Sequence, residues 1–207
     1  MLETTCTVLT YLFTNFLIPF TSAVIGGLFL IYGSKLDHKH QLKAEKDNSQ
    51  LRLINILEGI STEIKCLWRR YYISIGKDFE SSKDDKIFDV YYKASLNYFV
   101  IYESSAGLVG SIENKKIRTS IVELYIEMKS FLDGIFIHND LLNKLHNHEN
   151  LFIQTNNIIF EKDAGKARDT LMNYEKKLKE HHFELNTQIH ETIELIEAHI
   201  ASLTDKK

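Results

Sequence analysis

Apolar and polar positions divide the chain into two parts. No charged side chain occurs between Glu3 and Lys35, and residues 8–32 are dominated by Leu, Ile, Phe, Val and small residues. A helix of roughly 25 residues is roughly 37 Å long, which suffices to cross a hydrocarbon layer about 30 Å thick once, but not twice. We therefore predict a transmembrane anchor over residues 1–34 and a separate body over residues 35–207.

In the body, apolar residues recur at steps of three and four, and no proline follows Pro19. This pattern is typical of long amphipathic helices. The predicted elements are a helix that continues outward from the span and ends at Gly76, a second helix over about 84–105, a third from Ile117 to about Asn139, a polar break over 143–150, and a last helix over about 164–203. The segment between the break and the last helix receives no predicted structure. The predicted fold class is all-α, with an N-terminal transmembrane helix followed by an antiparallel bundle of about four long helices.

The flanks of the apolar run favour an anchor over a cleaved secretion signal or a buried core helix. A cleaved signal has a basic start and a shorter apolar core, whereas this run is long and is preceded by Glu3. The basic residues come after it, at Lys35, Lys39, Lys43 and Lys46. By the positive-inside rule, we expect a single-pass membrane protein with its N-terminus outside and its body in the cytoplasm.

The predicted span contains features that are typical of self-associating membrane helices. Pro19 is the single proline of the chain, and two pairs of small residues have the four-residue spacing that lets membrane helices approach closely. The residues predicted to contribute to association are Asn15, Pro19, Ser22, Ala23, Gly26 and Gly27. The alternative is an isolated anchor with a tolerated kink. Self-association would make the chain a homo-oligomer in the lipid bilayer.

Composition and charge narrow the choice of partners. The formal net charge is -3 and the charged fraction is 26%, so no strong basic field indicates direct nucleic-acid binding. Trp68, Arg69 and Arg70 form one mixed aromatic and basic cluster, which is a candidate partner surface. In the alternative interpretation, Trp68 faces the core and the arginines face solvent. Cys6 and Cys66 form no CxxC pair, so they indicate neither a disulfide framework nor a cysteine zinc site.

No motif in the body indicates an enzyme. Gly107 and Gly110 lack the lysine that completes a phosphate-binding loop, and the nearby serines lack a GxSxG setting. Histidines cluster at three places, but none forms a pair spaced by four on a helix, and no arginine is followed after four to six residues by a histidine, as in helical HEPN ribonucleases. We therefore predict no catalytic activity, no cofactor and no metal.

Residues 96–142 carry a further pattern, namely the aromatic-rich YFVIYES, a small-residue turn through Gly107 and Gly110, and the helix IVELYIEMKSFLD. This segment resembles small bacterial proteins that join one membrane helix to an all-helical cytoplasmic body. Such proteins occur in phage-defence islands, and some are transmembrane effectors encoded beside retron reverse transcriptases. The resemblance covers less than a quarter of the chain, and its motif is structural, so it transfers no catalytic residue.

The resemblance implies an abortive-infection effector. An inhibitory protein or ribonucleoprotein partner, a reverse transcriptase complex if the resemblance holds, would restrain the body, and infection would release it to perturb the inner membrane through self-association of the span. The alternative is a non-toxic membrane-tethered scaffold or regulatory docking protein. The two hypotheses differ in what they predict for residues 8–32, because the effector requires their particular sequence and the scaffold requires only an anchor.

Overall fold

A computed structural model describes the backbone of residues 18–83, 85–93 and 98–205, together with the side chains of these residues except 18–29 and 31. Its helices are α1 (Ile18–Tyr71), a π-helix (Tyr72–Gly76), α2 (Lys77–Ser81), α3 (Val100–Gly110), α4 (Lys115–Thr155) and α5 (Ile158–Thr204). These described residues contain no strand, which confirms the all-α class. Within the same ranges, no helix is both long enough and apolar enough to cross a membrane.

The chain divides into two units, residues 1–52 and 53–207, and the division falls inside α1. In the first unit, side chains from Tyr32 to Arg52 are exposed, apart from Gln50. The first part of the predicted span, with Asn15, lies outside the described residues. Pro19, Ser22, Ala23, Gly26 and Gly27 fall in the helical backbone of α1, but their side chains are outside the described part. The anchor therefore stays a prediction.

The second unit is built on the antiparallel pair α4 and α5. Ser120 contacts Thr192 near one end of the pair, and Glu149 contacts Arg168 near the other. The part of α1 from Leu53 onward packs against both helices and runs parallel to α4. Its stripe of buried Leu57, Ile60 and Ile64 is the one that the periodicity predicted.

The length of α4 corrects two predictions, the end of the third helix and the polar break after it. The helix begins after Asn114, whose side chain accepts hydrogen bonds from the N–H groups of Lys116 and Ile117. It does not end near Asn139, and residues 143–150 do not break it, because they contain neither glycine nor proline while Leu142 and Leu145 continue its buried stripe.

A tight turn joins α4 to α5. Asn156 adopts the left-handed conformation with φ 51°, which asparagine tolerates better than most residues. The side chain of Asn157 then accepts a hydrogen bond from the N–H of Ile159, so that α5 begins at Ile158. The last helix is thus confirmed and starts earlier than its apolar stripe alone indicated.

The predicted second helix is wrong over most of its length. The described residues between Ser81 and Val100 are not helical, and α3 covers only Val100–Gly110. Side chains of α4 and α5 accept hydrogen bonds from backbone N–H groups of this segment. These N–H groups therefore do not bond to carbonyl oxygens within a helix.

Gly76 does not end the first helix either. It is buried in the π-helix, and the chain stays helical through Ser81.

Candidate functional site

Two buried carboxylates hold the segment between α2 and α4 against the helical core. The first is Glu63, which is 8% exposed on α1. It accepts hydrogen bonds from the backbone N–H groups of Ile101 at 2.7 Å and Tyr102 at 3.2 Å. These N–H groups belong to the first turn of α3 and have no partner within that helix. Glu63 therefore acts as an N-terminal cap that is supplied by another helix.

A pair of tyrosines completes the surroundings of Glu63. The Tyr125 hydroxyl donates to the Glu63 carboxylate at 2.7 Å, and burial together with this hydrogen bond raises the pKa of Tyr125. The Tyr125 ring stacks on Tyr102, with centroids 3.8 Å apart and planes 13° apart. Tyr125 itself is 1% exposed. The carboxylate and the stacked rings together fix the position of α3.

The second carboxylate is Glu175 on α5, which is also 8% exposed. It accepts a hydrogen bond from the backbone N–H of Phe88 at 3.1 Å and contacts His138 Nε2 at 2.9 Å. The neighbouring Asn139 side chain accepts from the Tyr92 N–H and donates to the Tyr92 carbonyl. These contacts satisfy buried backbone groups of a segment without regular structure.

Between the two carboxylates lies a cluster of rings. Tyr71 and Phe131 meet edge to face at 5.2 Å, and Trp68 packs against Tyr71 at 5.1 Å. His182 is 1% exposed, and its Nδ1 lies 3.1 Å from the Tyr71 hydroxyl. Burial lowers the pKa of His182 and raises the pKa of Tyr71, so both groups are neutral at pH 7.

Two small cavities border this cluster. One has a volume of about 30 Å³ and is lined by Trp68, Tyr71, Tyr92 and other apolar residues, with Arg70 at its edge. The other has a volume of about 10 Å³ and lies between Phe88 and Ile135. Each has room for only one or two waters. The ring cluster is therefore a packed core with minor gaps.

The predicted partner residues are divided between the core and the surface. Trp68 is half-buried in the ring cluster, whereas Arg69 and Arg70 are exposed. This arrangement matches the interpretation in which the tryptophan packs inward and the arginines face solvent. Cys66, near them on α1, is exposed and carries a free thiol.

The histidine clusters seen in the sequence are separated by the fold. His146 contacts Asp89 and the Tyr91 hydroxyl, each at 3.2 Å, while His181 contacts Glu127 at 3.2 Å. In the part of the chain that the structure describes, no three His, Cys, Asp or Glu side chains converge as a metal site requires.

The burial of Glu63 and Glu175 is not among the predictions made from the sequence. Each occupies a position in line with the buried stripe of its helix, three residues from Ile60 and Leu178 respectively. A glutamate in line with a buried stripe indicates a carboxylate that is bound by other parts of the chain, because buried charges require partners.

Comparison of the chain with protein-family models, with curated proteins and with solved structures finds no match.

Proposed function

We propose that the chain is a membrane-anchored effector that acts through its N-terminal segment and is controlled through its helical body. The observation that carries this proposal is the uncharged apolar run of residues 8–32, followed by four lysines and no further proline. Such a run has the length of one membrane crossing, and its basic flank favours a cytoplasmic body.

In the proposed control, a partner binds the arrangement that the core contacts of the body hold in place. Glu63 and Glu175 bind backbone N–H groups, and the ring cluster around His182 fills space between helices. The polar side chains of the core thus hold α3 and the segment before it in one arrangement. A partner that binds this arrangement more tightly than an altered one would restrain the effector, because a ligand shifts an equilibrium only through such a difference in affinity.

In the proposed mechanism, release of the partner permits self-association of the span and depolarisation of the inner membrane. Asn15, Pro19 and the small residues Ser22, Ala23, Gly26 and Gly27 would form the contact between spans. The resemblance of residues 96–142 to retron-type effectors extends the proposal to abortive infection, with an inhibitory protein or ribonucleoprotein as partner.

The test is inducible expression of the full chain without a partner, with growth and a membrane-potential dye followed together. A triple variant, Pro19→Ala with Gly26→Leu and Gly27→Leu, removes the kink and blocks close approach of the spans. We expect rapid depolarisation from the original sequence and little from the variant at equal membrane content. Unchanged growth and potential, with the inserted protein verified, would contradict the proposal.

A second candidate function is a membrane-tethered scaffold, and exposed aliphatic residues on the body favour it. Ile153, Ile158 and Ile159 are each more than half exposed at the turn between α4 and α5 and form an apolar surface that a partner can cover. Replacing residues 8–32 with an unrelated single-pass helix distinguishes the two functions. A scaffold keeps its function after this exchange, whereas the effector loses it.

A further inference from the structure

The end of the α4–α5 hairpin exposes several large aliphatic side chains. Its tip, residues 151–160, contains no charged residue. Ile153 is 76% exposed, Ile159 60% and Ile158 58%. The contact between the helices beneath the tip is formed instead by Leu142, Leu145, Ala164, Ala167 and Leu171. The three isoleucines of the tip take no part in this contact, although a hairpin that ends in solvent normally turns its large aliphatic residues inward.

This cluster is separate from the main core of the second unit. Two open grooves flank it. One, of about 400 Å³, is lined by Phe152, Ile153, Ala164 and Gly165, with the Glu149–Arg168 ion pair at its edge. The other, of about 310 Å³, is lined by residues that include Lys144, Asp163 and Lys166. A Cβ atom added at Gly165 would meet no atom within 4 Å.

The charges around the tip are mixed and nearly balanced. Between residues 144 and 168 the basic side chains are Lys144, Lys162, Lys166 and Arg168, and the acidic ones are Glu149, Glu161 and Asp163. A surface that pairs with itself about a two-fold axis must tolerate its own charges, which a surface of one sign would not. An anionic bilayer would instead favour a strongly basic surface.

We propose that the tip and its grooves form the interface through which two copies of this chain pair side by side. The inference rests on the proposed function, because it supplies a contact in the body for an effector that assembles in the membrane. A helix end of roughly 14 residues is roughly 21 Å long, and the two helices side by side are roughly 20 Å wide. The footprint of this paired end, roughly 400 Å², is about half of what each partner contributes to a stable interface of standard size. Pairing therefore depends on anchoring, which confines the copies to one bilayer and raises their effective concentration.

Disulfide trapping of the full chain in native membranes tests this interface. Thr155→Cys is placed in a background with Cys6→Ser and Cys66→Ser, and the membranes are oxidised mildly. We expect a disulfide-linked dimer. The matched control is Thr119→Cys in the same background, which alters an exposed threonine near the other end of α4 and reports random collision. Dimer formation by the Thr155→Cys protein that does not exceed that by the Thr119→Cys protein would overturn the proposal.

Three further variants examine the surface itself. Ile153→Gln with Ile159→Gln should reduce trapping of the Thr155→Cys protein by roughly tenfold or more, because each copy loses two exposed isoleucines that pairing would bury. Ile126→Gln with Ile137→Gln, which alters two exposed isoleucines elsewhere on α4, should leave trapping unchanged. Gly165→Leu should also reduce trapping, since its side chain fills the groove. Equal trapping in all these variants would overturn the assignment of the interface to the tip.

An environment-sensitive dye, attached to the thiol that Thr155→Cys introduces, distinguishes a second copy at the tip from the lipid bilayer. A second copy predicts an apolar signal that disappears when the protein is diluted to one chain per vesicle. A signal that persists at this dilution in vesicles of lipid alone would assign the tip to the bilayer and overturn the proposal. Alkaline extraction of the same membranes reports insertion independently. Inserted protein without trapping therefore refutes the interface alone, whereas protein that is extracted refutes the anchored effector.

Discussion

The Glu63 carboxylate lies 2.7 Å from the Tyr125 hydroxyl and, at the same time, caps the first turn of α3. Three elements that are distant in the sequence thus meet at one buried side chain. Because an unsatisfied buried donor costs more than a hydrogen bond contributes, this carboxylate has a larger effect on stability than a surface glutamate.

Removal of the Glu63 carboxylate should destabilise the body. Glu63→Ala leaves the Tyr125 hydroxyl and two N–H groups of α3 without their acceptor, and we expect a loss of about 2–4 kcal/mol in the free energy of unfolding. Denaturant titration followed by circular dichroism measures it. The control is Glu58→Ala, which alters an exposed glutamate of the same helix and should change stability by less than about 0.5 kcal/mol. Equal effects of the two variants would contradict the capping role.

Glu175 should control the local order of the segment around Phe88. In Glu175→Ala the Phe88 N–H loses its acceptor, so its amide hydrogen should exchange faster, as should its neighbours. Glu175→Gln retains a carbonyl oxygen and should show a smaller increase. Hydrogen exchange with mass spectrometry measures both. Protection at Phe88 that is unchanged in Glu175→Ala would show that the segment is held by other contacts.

Burial of neutral His182 predicts that stability falls in mild acid. Its pKa in the folded chain is lowered from the ordinary value of 6.5, so the unfolded chain binds the proton more tightly. The contribution is present above pH 6.5 and is lost as pH falls towards the folded pKa. Unfolding free energies at about pH 7.5 and about pH 5.5 should therefore differ less in His182→Gln than in the original chain. An equal difference in both proteins would exclude His182 as a source of the pH dependence.

Alanine should stabilise the chain at one of two helical glycines and not at the other. A Cβ at Gly165 meets nothing within 4 Å, whereas one at Gly134 would lie 2.9 Å from Leu178 Cδ1 and 3.4 Å from the Tyr174 hydroxyl. We expect Gly165→Ala to stabilise α5 by up to about 1 kcal/mol through helix propensity. Gly134→Ala should lose this gain because α4 and α5 approach closely there. Thermal unfolding of the pair tests the prediction, and a larger gain at Gly134 would contradict it.

The long helices could be predicted because each carries a continuous apolar stripe. Ile117, Ile121 and Leu124 on α4 and Leu185, Ile189 and Ile196 on α5 are buried as their spacing indicates. The segment between Ser81 and Val100 could not be predicted in this way. Its many aromatic residues imitate a helical stripe, yet its backbone is bound by Glu175 and Asn139 from distant helices, and such contacts between distant parts of the chain leave no local periodicity.

The polar break is the reverse case, in which a helical segment was predicted to be a loop. The run NKLHNHEN is polar enough to suggest a loop, but Leu145 within it and Leu142 just before it keep α4 in contact with α5. The partners of Glu63 could not be predicted either, since Tyr125 and Ile101 become its neighbours only through packing of three separate elements.

Alkaline extraction of membranes most directly tests the membrane anchor, on which the proposed function rests. The original full chain should stay in the membrane pellet after a carbonate wash. A variant with Phe20→Lys and Val24→Lys should be extracted, since each lysine near the middle of a span costs roughly 3 kcal/mol. Leu36→Lys with Leu42→Lys, which lies beyond the span, should remain in the pellet. Release of the original chain into the wash would contradict the membrane anchor and, with it, the proposed function.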